Sequence, residues 1–137
     1  MILVDTSVII DFLNGKQNSK VLLFDKVLDN KIPYGINTFI FQEVLQGARD
    51  MKEYSNLKEY LESIPFYYLK NGRDSYEQAA FINFTCRRNG KTIRSTIDLI
   101  IAQTAIENDL YLLHKDDDFE QMSTVIKTLK IYNGNFT

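Results

Sequence analysis

The amino-acid sequence predicts an α/β domain, a three-layer sandwich with a mostly parallel central sheet and helices on both faces. Short apolar runs alternate with amphipathic helical patterns along the whole chain, as expected of repeated strand–helix units. The 137 residues suit one domain over residues 1–137, without a linker or an internal repeat. Acidic residues follow several of the apolar runs, and that end of a parallel strand is where α/β folds form their sites.

The chain opens with a strand, a turn and a helix. Residues 2–4 form an apolar run that stops at Asp5. Thr6 and Ser7 then offer an N-cap for a helix over residues 8–13. This unit predicts that Asp5 lies at the carboxyl end of the first strand.

The next unit repeats the alternation. Residues 20–30 carry apolar side chains at spacings of three and four, which predicts a helix, and Pro33 marks its end. Residues 34–36 predict a short strand, and residues 37–38 can cap the helix that follows. Glu43 lies among apolar neighbours of that helix, so we expect it to point inward.

The middle of the chain contains two further helical patterns. Residues 54–64 carry an amphipathic stripe that Pro65 breaks. The aromatic run over residues 66–69 predicts a strand, because bulky aromatic side chains favour extended structure. Residues 74–88 follow a helical period, and the pair at residues 89–90, Asn-Gly, is a typical helix stop.

The stretch over residues 93–119 joins a capped helix, a strand and a triple-aspartate turn. Ser95 or Thr96 starts the helix, and Asp98 lies three residues after Ser95, as in a capping box. Residues 110–113 are apolar and too few for a helix, so they predict a buried strand. Asp98 therefore stands at the top of a buried helix face.

Three consecutive aspartates follow that last strand: Asp116, Asp117 and Asp118. After them, residues 119–122 predict one helical turn, and residues 128–132 alternate like a closing strand.

Composition limits the class of protein. Hydrophobic residues make up 45% of the chain, and no apolar stretch approaches the roughly 20 residues that a membrane span needs. The first residues lack the features of a signal peptide, and a single cysteine, Cys86, cannot form an internal disulfide. We expect a cytoplasmic protein without a membrane partner. The net charge of −2 leaves nucleic-acid binding to local patches.

Four acids can converge on one edge of the predicted sheet: Asp5, Glu43, Asp98 and Asp116. Carboxylates crowded into one pocket repel each other until a proton or a cation neutralises them. Oxygen ligands without His or Cys select Mg²⁺ or Mn²⁺, and one or two such ions are what hydrolysis of a phosphodiester by a metal-activated water requires.

Four segments of the chain resemble the four blocks of the PIN domain family, in order and spacing: residues 4–7, 43–47, 94–102 and 113–119. The similarity covers almost the whole chain, and short members of this type are mostly VapC-like toxins. The resemblance implies a Mg²⁺- or Mn²⁺-dependent endoribonuclease that leaves 5′-phosphate and 3′-hydroxyl ends. It also implies inhibition by a cognate antitoxin, and a homodimer.

The resemblance extends to individual positions. Asp5, Glu43, Asp98 and Asp116 match the acidic quartet of the family, which implies that they are its catalytic and metal-binding residues. Three other residues match supporting positions: Thr6, Ser7 and Asp118. His114 stands where the family often has Thr or Ser.

Each of these residues also has a purely structural interpretation. Asp5 can be a turn residue, Glu43 a solvated helix residue, Asp98 half of a capping box, and Asp118 an N-cap before the next helical turn. We interpret His114 as a packed or hydrogen-bonded neighbour of the site rather than a ligand or base.

A basic cluster precedes the Asp98 helix: Arg87, Arg88, Lys91 and Arg94. These cations could bind the phosphates of an RNA backbone. They could equally be solvated residues at a helix end, where cations complement the helix dipole. Two helices also carry more apolar residues than one buried face needs, and these residues likewise have both a structural and a functional interpretation: Phe39, Phe41, Tyr54, Leu57, Tyr60 and Leu61. Most of them should pack in the core, and the rest suit a groove for an antitoxin helix or a homodimer surface.

Rival functions remain at the level of sequence. A phosphatase or dehalogenase would carry Asp-x-Asp after the first strand, whereas Ser7 is the second residue after Asp5. A phospho-accepting receiver domain would need an acceptor aspartate ending a middle strand, and Asp50 follows a helix. An RNA-processing nuclease outside a toxin–antitoxin pair, or a non-catalytic module of the same fold, would fit the same pattern.

Overall fold

The computed structural model describes residues 1–136, in which four parallel strands form one sheet in the order β2-β1-β3-β4. The strands are β1 (Ile2–Val4), β2 (Tyr34–Gly35), β3 (Tyr111–Leu113) and β4 (Lys130–Ile131). Leu3 of β1 lies between Gly35 of β2 and Leu112 of β3. The predicted α/β class with a parallel central sheet is confirmed.

Seven helices within the described residues surround the sheet: α1 (Thr6–Leu13), α2 (Ser19–Asp29), α3 (Thr38–Gln46), α4 (Met51–Glu62), α5 (Arg73–Arg88), α6 (Thr96–Glu107) and α7 (Asp117–Val125). Among these residues, none of the helices is both long and apolar enough to cross a membrane. Asn37 caps α3 by accepting from the Ile40 N–H at 2.9 Å, as the sequence suggested. The cap of α1 is different from the prediction: Asp5, rather than Thr6 or Ser7, occupies the N-cap position.

The core is built on the central strands and one largely buried helix. Every residue of β1 is buried, and seven consecutive residues of α6, 99–105, are buried on all sides of the helix. A helix that is buried on all sides lies in the interior of a domain, and α6 contacts α3, α5, α7 and β3. Asp98 is in the first turn of this helix, so a core element fixes its position.

The predicted strand over residues 66–69 is wrong. Only Phe66 forms a bridge, with Ile36, before the chain turns away. The backbone beyond Phe66 forms hydrogen bonds with side chains at the end of α6 instead of with a neighbouring strand. Asn108 Nδ2 donates to the Tyr68 carbonyl at 3.0 Å, and Glu107 accepts from the Lys70 N–H at 2.7 Å.

Two predictions near the carboxyl end need correction. The single helical turn expected at residues 119–122 is part of the nine-residue helix α7. Asp116 caps α7, and three acids occupy its first turn, where negative charge complements the helix dipole. The closing strand is confirmed in place but is shorter than residues 128–132.

Candidate active site

Neighbouring strands place the first and last acidic blocks side by side. Asp5 directly follows β1, and its N–H donates to the Leu113 carbonyl of β3 at 2.9 Å. Asp116 lies three residues beyond Leu113. Because β1 and β3 are parallel and adjacent, their carboxyl ends meet at one edge of the sheet.

Three carboxylates form the tightest acidic group in the part of the chain that the structure describes. One oxygen each from Asp98, Asp116 and Asp118 lies within 4.8 Å of the other two. Asp98 comes from α6, while Asp116 and Asp118 come from the start of α7. We call these three residues the aspartate trio. Asp118, expected only in a supporting place, thus belongs to this group together with Asp98 and Asp116.

The pKa of Asp98 is raised by its crowded, partly buried surroundings. Burial, together with the charges of Asp116 and Asp5, raises that pKa to about 7. Burial also raises the pKa of Asp5, and the Glu43 charge adds to the effect against the opposing hydrogen bonds from Ser7. Asp5 and Glu43 therefore belong to the same negative field as the trio.

This donor set fits a hard divalent cation. Ligand oxygens around an octahedral Mg²⁺ lie at about 2.0–2.1 Å from the ion, so the spacing of 4.8 Å or less within the trio needs only small side-chain rotations. A cation would remove the repulsion that now favours a proton on Asp98. All three ligands are carboxylates, which suit Mg²⁺ or Mn²⁺ rather than Zn²⁺.

The first of the four sequence blocks, residues 4–7, forms a hydrogen-bond network. Asp5 Oδ2 accepts from the Ser7 hydroxyl at 2.7 Å and from the Ser7 N–H at 3.3 Å. The Ser7 oxygen accepts in turn from the Lys115 N–H at 3.3 Å, which ties the end of β1 to the turn after β3. The Thr6 hydroxyl donates to Glu43 at 2.9 Å.

Glu43 does not point into the core as expected. It is exposed, while its neighbours Val44 and Leu45 are buried. Capping by Asn37 sets the start of α3, and this start turns Glu43 out of the apolar face. Its carboxylate still reaches the first block through Thr6.

Asp118 is buried and paired with Arg94. Its two oxygens accept from the Arg94 N–H at 3.1 Å and from the Arg94 guanidinium at 3.3 Å. It is therefore not the N-cap of α7, a role that Asp116 performs by accepting from the Asp118 N–H at 2.9 Å. Ser95 stands at the N-cap of α6, but within the described chain its side chain makes no capping bond, so the proposed Ser95–Asp98 capping box is wrong.

His114 is a buried, hydrogen-bonded neighbour of the trio, as expected. Its Nδ1 accepts from the Asp116 N–H at 3.0 Å, which leaves Nε2 to donate to Glu120 at 3.1 Å. Burial lowers the pKa of His114, so the neutral ring is favoured. The ring fixes the backbone that carries Asp116.

Sequence reasoning missed an ion pair that supports this turn. The Lys115 ammonium pairs with Asp11 of α1 and lowers the pKa of that carboxyl, and Asn18 Nδ2 donates to the same carboxylate at 3.0 Å. Asp11 is buried. The two charges are 104 residues apart, and no local pattern reports such a contact.

Removing this ion pair should weaken metal binding without removing a trio carboxylate. We expect Lys115→Met to loosen the turn between β3 and α7 and to reduce Mn²⁺ affinity by about tenfold, the low end for groups that orient ligands. Isothermal titration calorimetry with Mn²⁺ measures the change. Lys127→Met is the matched control, since Lys127 is exposed and its ammonium donates to the nearby Thr124 carbonyl at 2.9 Å. Equal affinities in the two variants would contradict the positioning role.

The four residues of the basic cluster differ in exposure and in their partners. Arg94 is engaged by Asp118, while Arg87 and Arg88 are exposed at the end of α5. The Arg88 guanidinium lies 5.7 Å from the centre of the Phe84 ring, and Lys91 is half-buried. Contact of these four cations with an RNA backbone stays a prediction.

A groove of ≈ 510 Å³ opens between α1, α3 and α4. Its apolar lining is formed by Ile10, Leu13, Val44, Leu57 and Tyr60. Of the surplus apolar residues noted in the sequence, Leu57 and Tyr60 line this groove. Leu61 is buried in the core, and Phe41 packs on Phe66 at 5.5 Å between ring centres.

Comparison with known proteins agrees with the four sequence blocks. The model of the PIN domain family matches residues 2–125. The VapC ribonuclease Mb1587 of Mycobacterium bovis is 27% identical over 126 residues, which cover 91% of this chain and 93% of that protein. This chain is therefore similar to a VapC ribonuclease over nearly its full length.

Solved structures share the fold. VapBC2 from Rickettsia felis, bound to a DNA fragment from its promoter, matches with a TM-score of 0.73 at 16% identity and covers 96% of this chain and 98% of that chain. A toxin–antitoxin complex from Klebsiella pneumoniae matches with a TM-score of 0.69 at 20% identity, with 96% and 100% covered. At these identities the likeness establishes the α/β architecture alone.

Proposed function

Because the chain belongs to the PIN domain family, we propose that it is a Mg²⁺- or Mn²⁺-dependent endoribonuclease. The observation that carries this proposal is the convergence of the aspartate trio at the carboxyl ends of β1 and β3, with Asp5 close enough to raise the pKa of Asp98. The similarity to a VapC ribonuclease supports RNA as the substrate.

Asp98, Asp116 and Asp118 are the residues that would hold the cation, with Asp5 beside them. One ion or two can be accommodated by four carboxylates. When bound, the ion supplies Lewis-acid stabilisation of the charge that develops on the phosphodiester.

The chain's own residues position the reactants. Thr6 holds one oxygen of Glu43 at 2.9 Å, and we assign Glu43 to orient the attacking water and accept its proton. Ser7 fixes Oδ2 of Asp5, which keeps that carboxylate directed at the site. Arg87 and Lys91 supply positive charge that steers the RNA backbone without reading its sequence.

The proposal is tested by incubating the purified protein with a defined RNA. We expect internal cleavage with Mg²⁺ or Mn²⁺, none after chelation by EDTA, and products with 5′-phosphate and 3′-hydroxyl ends, because water would attack the phosphorus and the 3′-oxygen would leave. Degradation of the downstream product by a 5′-phosphate-dependent exonuclease reports the end group. Cleavage that persists in EDTA, or products with 2′,3′-cyclic phosphates, would contradict a metal-dependent hydrolysis.

We further propose that the protein is the toxin of a toxin–antitoxin pair in the cytoplasm. Solved structures with this fold include toxin–antitoxin complexes. The apolar groove between α1, α3 and α4 has the form that receives one face of an amphipathic helix. The expected occupant is an antitoxin helix, encoded by a small neighbouring reading frame.

A charge placed in the groove should weaken antitoxin binding. Leu13 lines the groove and is 40% exposed, so Leu13→Asp should fold yet weaken the complex by about 2 kcal/mol or more, as expected at an interface hot spot. Leu22→Asp is the matched control, because Leu22 is 53% exposed on α2 and does not line the groove. Calorimetry with the neighbouring gene product measures both. A nuclease that binds no such product would instead be an RNA-processing enzyme.

A further inference from the structure

The buried imidazole of His114 connects the turn after β3 to α7. Its side chain is 2% exposed, and its ring packs on Phe119 with 5.1 Å between the ring centres. Buried polar atoms need hydrogen-bond partners, and both ring nitrogens have one. The Asp116 N–H lies 3.0 Å from Nδ1, and a carboxylate oxygen of Glu120 lies 3.1 Å from Nε2.

These two partners determine which ring nitrogen carries the proton. A backbone N–H can only donate, so Nδ1 of His114 accepts from Asp116 and carries no proton. The single N–H of the ring is therefore on Nε2. An ionised carboxylate can only accept, and the carboxylate of Glu120 faces Nε2. The backbone amide on one side and the carboxylate on the other select the same tautomer.

The ring in turn holds the backbone that carries two members of the aspartate trio. Asp116 provides one carboxylate, and its Oδ1 accepts from the Asp118 N–H at 2.9 Å as the N-cap of α7. If the ring proton were on Nδ1, two donors would face each other across 3.0 Å, and the backbone of Asp116 would have to move away. The position of both carboxylates thus depends on the tautomer of His114.

We propose that Glu120 is a positioning residue for the metal site, acting through His114. Glu120 lies in the first turn of α7 and outside the trio, and its side chain is 50% exposed. Its carboxylate keeps the ring proton on Nε2, which leaves Nδ1 free to accept from the backbone of Asp116. Outer partners that orient metal ligands in this way contribute to metal affinity. The inference rests on the proposed function, because it concerns the residues that would hold the cation.

NMR of the ring nitrogens tests the tautomer directly, since His114 is the only histidine of the chain. We expect the metal-free parent to carry its ring proton on Nε2 alone at about pH 8, where imidazole is neutral. Glu120→Gln should keep this state, because glutamine retains an oxygen acceptor, whereas Glu120→Ala should show both tautomers in exchange. A parent with the proton on Nδ1, or a Glu120→Ala ring identical to that of the parent, would overturn the inference.

Calorimetric titration with Mn²⁺ connects the tautomer to the metal site. Glu120→Ala and Glu120→Gln remove the same negative charge, and only glutamine keeps the acceptor, so a difference between the two variants is not an effect of charge. We expect Mn²⁺ to bind Glu120→Ala about tenfold more weakly than Glu120→Gln, the low end for outer partners of metal ligands. The parent serves as the reference for both.

The same titration separates this inference from the proposed function. If the parent binds Mn²⁺ and the two variants bind it equally well, the positioning role of Glu120 is wrong and the proposed metal site stands. If the parent binds no Mn²⁺, the proposed metal site is wrong, and the positioning role is wrong with it.

Discussion

Asp98→Asn is expected to reduce Mn²⁺-dependent RNA cleavage by about 10²–10³-fold while the fold is retained. A catalytic metal contributes several kcal/mol to transition-state stabilisation, and each 1.36 kcal/mol corresponds to about a tenfold change in rate. Asp98 is the member of the trio on the buried helix α6, and charges from Asp5, Asp116 and Asp118 all act on it. Asparagine keeps the shape of the side chain but removes the charge that would hold the ion.

Asp117→Asn provides the control for this prediction. Asp117 lies in the same acidic turn but is exposed and outside the trio, so we expect near-parental cleavage. Initial rates on a fluorescently labelled RNA, with Mn²⁺ titrated for each variant, separate loss of metal binding from loss of turnover. Cleavage by Asp98→Asn at the parental rate, with contaminating nuclease excluded, would refute the assignment of Asp98.

The sequence was sufficient to predict the convergence of the acidic blocks. One apolar run is followed by Asp5, and another is followed by three aspartates. Because β1 and β3 pair in parallel, the acids at their carboxyl ends come together. Periodicity also predicted a helix at α6 with a buried face beneath Asp98. These features depend on local patterns and on a general rule of sheet topology, so no knowledge of side-chain packing was required.

Side-chain direction was harder to predict. Asp118 looked like a cap, but the cap is Asp116, and Asp118 turns inward to bind Arg94 from another segment. Glu43 looked buried from its neighbours, yet the point at which α3 begins turns it outward. A shift of one residue rotates a helical side chain by about 100°, so patterns that locate a helix leave the orientation of its polar residues uncertain.

Metal binding is expected to weaken steeply as the pH falls below about 7. A proton and a cation compete for the trio, because the ligands must be deprotonated. With the pKa of Asp98 raised to about 7, displacement of one proton lowers Mn²⁺ affinity by about tenfold per pH unit well below that pKa, or by about 50-fold from pH 7 to pH 5. Calorimetric titrations at several pH values measure this slope, and an affinity independent of pH in that range would contradict it.

The same carboxyl should make the metal-free protein less stable as the pH rises. The pKa of Asp98 in the folded protein, about 7, exceeds its ordinary value of 3.8, so the folded state binds the proton more tightly than the unfolded state does. The associated stabilisation is complete below about pH 4 and is lost as the pH rises through about 7. The full difference corresponds to about 4 kcal/mol, and partial exposure of Asp98 reduces it to the order of 2 kcal/mol.

Comparison with Asp98→Asn isolates this contribution from other groups. The pKa of Asp5 is also raised, whereas that of Asp11 is lowered by Lys115, so the parent alone reports a mixture. The difference in free energy of unfolding between the two proteins, measured in urea, should change by about 2 kcal/mol in favour of the variant as the pH rises from 4 to 8. Saturating Mn²⁺ should reverse the parent's trend, since the ion replaces the proton and stabilises only the folded state.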